Sequence, residues 1–353
     1  KAMVLLKNDG ILPLTLDKLG AMGVIGPNAD SVGCLEGNYN GTSSRYVTFL
    51  EGIRNACAGK ARVFYSQGCH LFKDRTSNLA QPDDRLAEAV AVAERCDVSI
   101  LCLGLDATLE GEEGDTGNEY SSGDKNTLDL PPSQRKLLKA VLATGKPVVV
   151  VLAVGSALSV AEGNAVLQAW YPGQAGGTAL ARILFGEVSP SGKLPVTFYH
   201  SVDDLPAFED YAMKNRTYRY FEGEALYPFG YGLGYSRFRY SEAYWHGGLV
   251  TVTVENVGDM DAEEVIQVYI KDHDSPFAVR NHSLRAMKRI RLAKGESATV
   301  SLPVRDSAFE SVDDDGMPTR LGQRYTLYVG GSQPDARSVA LTGQTPLSVE
   351  VMQ

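Results

Sequence analysis

The sequence predicts an α/β domain built on a mostly parallel sheet, followed by an all-β sandwich. Three observations predict this. The first part alternates continuous apolar runs with helical patterns, as expected of strands covered on both faces by crossover helices. From Ser236 the runs shorten, several alternate strictly, and turn residues separate them, which fits an antiparallel sandwich. The chain has 353 residues, enough for two domains at usual sizes.

The opening "KAMVLLKNDG" reads as the end of a helix already under way, so the chain is expected to be a fragment, a processed chain or one piece of a larger protein. "MGVIGP" (Met22 to Pro27) is a short apolar strand stopped by Gly-Pro, and "ARVFYSQG" is a second strand. "DDRLAEAVAVAERC" places Leu86, Ala87, Val90, Ala91 and Ala93 at helical spacing, with Asp83 or Asp84 positioned to cap. "DVSILCLGL" follows as a strand. "PPSQRKLLKAVLATGKP" puts Leu137, Leu138, Val141 and Leu142 on one helix face, with Gly145 where a left-handed cap is wanted. "PVVVVLAVG" is too continuously apolar to face water on either side. "AGGTALARILFG" is one more helix, closed by Gly186. Beyond Ser236, the strands are "LVTVTVEN", "EEVIQVYIKD", "LRAMKRIRL", "ESATVSLPV", "QRYTLYVGG" and "RSVAL", and "DDDG" (Asp313 to Gly316) is a hairpin turn. The boundaries predicted are residues 1–205 for the α/β domain, 206–235 for a Tyr-, Phe- and Gly-rich connector, and 236–353 for the sandwich. The connector is too aromatic for a flexible linker and is expected to pack across a surface.

Bulk properties exclude several classes. Hydrophobic residues make up 44% and charged residues 22%, an ordinary globular composition. The net charge of −9 argues against a general nucleic-acid binder, which needs a basic face. Five cysteines, an odd number and without a CxxC pair, support neither a disulfide framework nor a zinc site and point to a reducing, cytoplasmic compartment, with a periplasmic or secreted location as the alternatives. No apolar run is long enough to span a membrane and no signal peptide is visible, so no membrane partner is expected. The sequons at Asn40, Asn215 and Asn281 carry little weight without secretory evidence.

One stretch stands out chemically. "TLEGEEGDTGNEYSSGDKNTLDLP" (Thr108 to Pro131) holds seven acids against one lysine and directly follows the apolar run Val98 to Leu105. In open α/β sheets, ligands bind beyond the carboxyl ends of the strands, where this loop emerges. Glu110, Glu112, Glu113 and Asp115 are crowded there among Gly111, Gly114 and Gly117. An acid among acids has a raised pKa and can serve as a general acid near neutral pH. A solvated acidic loop is the alternative and stays open on these grounds. The acids do not follow calcium-loop spacing, and neither a metal nor a cofactor is expected.

A second stretch, "GCLEGNYNGTSSRYVTFLEGI" (Gly33 to Ile53), follows the first predicted strand. Tyr39 could stack on a sugar or another planar-faced ligand, and an ordinary surface loop is the alternative. "YPFGYGLGY" contains G-x-G-x-G without a preceding strand, so it is no phosphate cradle. No G-x-S-x-G or H-E-x-x-H occurs, and His70 and His200 read as structural.

Taken together, "AMVLLKNDGILPL", "VIGPNAD", "GNYNGTSSRYVTFLEGI", "LEGEEGD…SGDKNTLDLPPSQ", "AWYPGQAGGTALARILFGEVSPSGKLPVTF" and "RTYRYFEGEALYPFGYGLGYSRF" resemble glycoside hydrolase family 3, the β-glucosidases and β-xylosidases. The later strands resemble that family's fibronectin type III-like domain. The resemblance implies an α/β sandwich domain followed by an immunoglobulin- or fibronectin type III-like sandwich, with the family's N-terminal (β/α)8 barrel upstream or on another chain. It implies a retaining mechanism whose nucleophile is an aspartate on that barrel; the S-D-W-like stretch that carries it does not occur here. The acid/base is carried over onto Glu112, with Glu110 second and Glu113 third, because the doubled glutamate leaves the register open. Tyr39 corresponds to an aromatic near the leaving-group subsite, with Asn38 and Arg45 as further substrate contacts. The expected substrate is a β-linked oligosaccharide or glycoside with a terminal β-D-glucosyl residue. β-Xylosidase or α-L-arabinofuranosidase activity, a non-catalytic carbohydrate-binding or scaffold role, and a flavodoxin-like domain with an acidic metal loop stand as alternatives.

Overall fold

The computed structural model describes residues 1–111 and 125–352. They form two compact units, Lys1–Pro190 and Ser191–Gln353.

The first unit holds a six-stranded sheet. Its strands are β1 (Val4–Asn8), β2 (Ala21–Ile25), β3 (Arg62–Ser66), β4 (Val98–Gly104), β5 (Val148–Ala153) and β6 (Ala165–Gln168), in the order β1-β6-β5-β4-β2-β3. All neighbours pair in parallel except β1, which runs antiparallel to β6. Every residue of β2, β4, β5 and β6 is buried, as expected of strands covered on both faces. The covering helices are α1 (Phe49–Cys57), α2 (Leu86–Arg95), α3 (Pro132–Leu142) and α4 (Gly176–Leu184).

Several expectations hold here and others need correction. Leu137, Leu138 and Val141 are buried on α3, and Gly145 takes the left-handed conformation at φ 69°. The opening residues are a strand, not a helix end: Val4, Leu5 and Leu6 are buried in the sheet. A three-residue apolar run carries no period that separates the two states, and the free antiparallel edge beside β6 decides. The predicted cap of α2 is also absent. Asp83 sits at φ 59° with its carboxylate on Lys136, 2.9 Å away, and the cap position is Arg85 with no side-chain bond. The buried residues of α2 are Ala89 and Ala93, while Ala87 is exposed.

The second unit is a sandwich of antiparallel sheets. One sheet is ordered β10-β9-β14-β15, the other β11-β8-β7, with a small β12-β13 hairpin. The strands are β7 (Phe238–His246), β8 (Leu249–Asn256), β9 (Ala262–Asp272), β10 (Ser283–Leu292), β11 (Ser297–Pro303), β12 (Ser311–Val312), β13 (Pro318–Thr319), β14 (Arg324–Gly330) and β15 (Leu347–Met352). Alternation on β8 turns Val250, Val252 and Val254 inward, against Ile266, Val268, Leu327 and Val329. Each fully buried aliphatic side chain contributes about 1.5–3 kcal/mol. Asp313 to Gly316 forms the expected turn, with Gly316 at φ 78° and its N–H on the Asp313 carbonyl.

"RSVAL" is not a strand. It lies in helix α6 (Ala336–Thr342), capped by Asp335, whose carboxylate accepts from the Ser338 N–H, and closed by Gly343 at φ 68°. Residues 191–235, which include the predicted connector and the short helix α5 (Thr217–Tyr220), belong to this unit. Tyr218 stacks on Phe229 at 4.1 Å, and both rings stand edge-on to Tyr269 of β9. The Gln267 amide donates to the carbonyls of Gly230 and Gly331, each at 2.9 Å. A Cβ at Gly230 would lie 2.4 Å from both Gln267 Oε1 and the Tyr269 hydroxyl, so only glycine fits. The five cysteines are all free. No helix among the described residues is long and apolar enough to cross a membrane.

Candidate functional site

The sheet of the first unit changes winding direction between β2 and β4. β2 leads through α1 to β3 on one side, and β4 leads through α3 to β5 on the other. The crevice beyond the carboxyl ends at such a point is where open α/β sheets bind ligands. The two stretches singled out in the sequence leave these two strands.

The exit from β4 is tightly built. Gly104 has φ 133°, and a Cβ there would lie 2.0 Å from the Ala153 carbonyl oxygen. The buried Gln134 side chain accepts from the Gly104 N–H at 2.8 Å and donates to the carbonyls of Gly104 and Leu71 at 2.7 Å each. A turn follows on Asp106. Its carboxylate accepts from the Thr108 N–H and hydroxyl at 2.9 and 2.6 Å, and its carbonyl accepts from the N–H groups of Leu109 and Glu110. Leu109 is fully buried and plugs the turn into the core.

That turn delivers Glu110 to the residues following β5 and β6. Glu110 Oε2 accepts from the Gly155 N–H at 2.7 Å and from the Tyr171 hydroxyl at 2.5 Å, and Oε1 accepts from the Ser156 hydroxyl. Its backbone carbonyl accepts from Asn38 Nδ2 at 3.1 Å. Burial first, then the Glu110 charge and hydrogen bond, push the Tyr171 hydroxyl far above the ordinary tyrosine range, so it remains a donor. Lys125 donates to the Ala157 carbonyl at 2.5 Å. Burial pulls its ammonium below the ordinary lysine value, and the Glu110 charge acts in the opposite direction. Charge-assisted bonds of this kind are roughly twice as strong as neutral ones. Three donors converging on one carboxylate make Glu110 an anchor.

The exit from β2 is held separately. The buried Cys34 thiol donates to the carbonyls of Asn28 and Ser31 at 3.3 and 3.2 Å. Burial raises its pKa to about 12, so it is an inert structural thiol. Thr48 caps α1, accepting from the Glu51 N–H at 3.2 Å while its hydroxyl donates to Asp30 at 2.7 Å. Tyr39 sits at φ 58° and is 86% exposed.

Of the residues expected from the sequence, Asn38 and Glu110 come together. Arg45 pairs with Glu51 in the first turn of α1 at 2.5 Å. Glu112 and Glu113 lie outside the described residues. Tyr171, Gly155, Ser156 and Lys125 escaped the sequence reading. Their one signal was position: the first three follow directly on strands, inside "AVGSAL" and "AWYPGQ". Among the described residues no group of three or more His, Cys, Asp and Glu could hold a metal ion.

Comparison with known proteins is consistent across sequence and structure. A model of the glycosyl hydrolase family 3 C-terminal domain matches residues 3–235, and a fibronectin type III-like domain matches residues 264–333. A xylan 1,4-beta-xylosidase from Xylanibacter ruminicola is 40% identical over 271 residues, covering 72% of this chain and 31% of the relative. A periplasmic beta-glucosidase from Salmonella typhimurium is 34% identical over 86% of this chain and 44% of its own length. A beta-xylosidase from Formosa agariphila is 32% identical over 97% of this chain and 49% of its own length. Among solved structures, a GH3 beta-glucosidase from Bifidobacterium adolescentis has a TM-score of 0.81 at 33% identity, covering 99% of this chain and 51% of that one. The chain thus spans about half the length of such relatives, or less.

Proposed function

The chain belongs to glycoside hydrolase family 3, and from that premise we propose that it is the acid/base-bearing part of a retaining, exo-acting β-glycosidase that releases terminal β-D-glucosyl residues. The observation that carries this reading is the convergence of the two suspected stretches at the winding switch, joined by the Asn38 bond to Glu110. Glu112 protonates the departing glycosidic oxygen and then deprotonates the incoming water. The nucleophilic aspartate is supplied by a (β/α)8 barrel outside these residues, with the two carboxyl groups roughly 5–5.5 Å apart at work. Glu113 is the alternative acid/base; Glu110 is less suited, because its carboxylate already serves three donors. Tyr39, largely exposed, offers an aromatic face to the sugar.

A second reading, release of terminal β-D-xylosyl residues, draws on the names of the Xylanibacter and Formosa relatives. The Salmonella relative's name favours a periplasmic location over a cytoplasmic one. The test is Glu112→Ala in the full-length enzyme against aryl β-glucosides and β-xylosides of graded leaving-group pKa. Activity on poor leaving groups is expected to fall about 10²–10⁴-fold, with dinitrophenyl glycosides little affected. An equal, small loss on both would sink the assignment, and the preferred sugar separates the two readings.

A further inference from the structure

The segment 111–124 is bracketed by Glu110 and Lys125, and both bracketing residues are fastened to the same three consecutive residues. Glu110 accepts from the Gly155 N–H at 2.7 Å and from the Ser156 hydroxyl, and the Lys125 ammonium donates a hydrogen bond to the Ala157 carbonyl at 2.5 Å. Tyr171 adds a third donor to Glu110 at 2.5 Å, and Asn38 holds the Glu110 backbone at 3.1 Å. The fit is close: a Cβ at Gly155 would lie 3.1 Å from the Tyr171 ring and 3.2 Å from Glu110 Oε2. The strap 155–157 follows closely on β5, a strand buried at every residue. An acid/base group misplaced by about 1 Å can cost 10²-fold in rate, so a loop carrying one needs its stem fixed.

We propose that Glu110 and Lys125 are positioning residues that clamp both ends of the 111–124 segment to the strap Gly155–Ala157, and that Glu110 itself does not transfer the proton. This rests on the reading that the segment carries the acid/base. An alanine at 110 removes the acceptor of Gly155, Ser156 and Tyr171 at once, whereas a glutamine keeps one oxygen for Gly155 and Tyr171 and can donate its amide to the Ser156 hydroxyl.

In the full-length enzyme, Glu110→Ala is expected to lower kcat/KM on poor leaving groups about 10–100-fold while leaving the basic limb of the pH profile in place, with Glu110→Gln restoring most of the loss. Tyr171→Phe is expected to give part of that loss, and the double variant no more than Glu110→Ala alone. Loss of the basic limb with rescue by azide would make Glu110 the acid/base and overturn the proposal. Multiplicative effects of the two substitutions, or unchanged activity, would also overturn it. A second readout does not depend on activity. Glutamate-specific proteolysis of this chain is expected to cut within 111–124 about tenfold faster in Lys125→Met and Tyr171→Phe, at unchanged melting temperature. Equal cutting rates would remove the clamp even if the glycosidase reading stands. Faster cutting in a protein without glycosidase turnover would keep the clamp and remove that reading.

Discussion

Replacing Gly177 by alanine tests how the α/β unit is held together. Gly177 on α4 and Gly52 on α1 bring two helix backbones into direct contact. A Cβ on Gly177 would lie 1.8 Å from the Thr48 carbonyl oxygen, where ordinary contact begins at 3.4 Å. The backbones must therefore part by 3.4 − 1.8 = 1.6 Å. The neighbour is backbone, so no side chain can swing aside. Overpacking of this kind costs about 3 kcal/mol at the upper end of the usual range. Parting the helices also breaks the 2.9 Å bond from the Gly177 N–H to the Val47 carbonyl, at about 1 kcal/mol. The better helix propensity of alanine returns about 1 kcal/mol. The net loss is about 3 kcal/mol, a fall in Tm of roughly 6–12 °C for a unit of this size. The assay is thermal unfolding followed by far-UV circular dichroism, with Gly41→Ala as control, since a Cβ there meets nothing within 4 Å. If Gly177→Ala melts within about 2 °C of that control, the close-contact argument is wrong.

Gln134→Leu leaves the Gly104 N–H and the carbonyls of Gly104 and Leu71 without their buried partner, and is expected to cost about 2–4 kcal/mol in urea unfolding. His282 is held neutral: burial lowers its pKa, with Lys271 acting the same way, while the Gln333 bond and the Asp335 charge oppose it. The unfolded chain therefore takes up the proton first as pH falls, and stability is full above about pH 6.5 and declines below it. His282→Gln should flatten that part of the stability–pH curve, and an unchanged slope would refute the assignment. Asp335→Ala removes the cap of α6 and is expected to destabilise by about 1 kcal/mol, read from the same urea series.

Much of the architecture was legible because long apolar runs leave few choices. β4 and β5 could only be buried strands, and the α3 face repeated often enough to define a period. Short segments were not legible. Val4 to Leu6 and "RSVAL" are too brief to carry a period of 2 or 3.6, and neighbours settled them: β6 for the first, the Asp335 cap and Gly343 for the second. Asp83 looks like a cap in sequence, but its left-handed backbone and the lysine from α3 turned it elsewhere.

The candidate site divides in the same way. By itself the sequence determined that an acid-rich stretch leaves a buried strand and that a polar, aromatic stretch leaves another, since both facts rest on composition next to hydrophobic runs. That Glu110 is held by three donors was decided only by tertiary structure. The donors to Glu110 lie 45, 46 and 61 residues away along the chain, beyond the reach of any local pattern. They meet because parallel crossovers return the carboxyl ends of β4, β5 and β6 to one edge of the sheet.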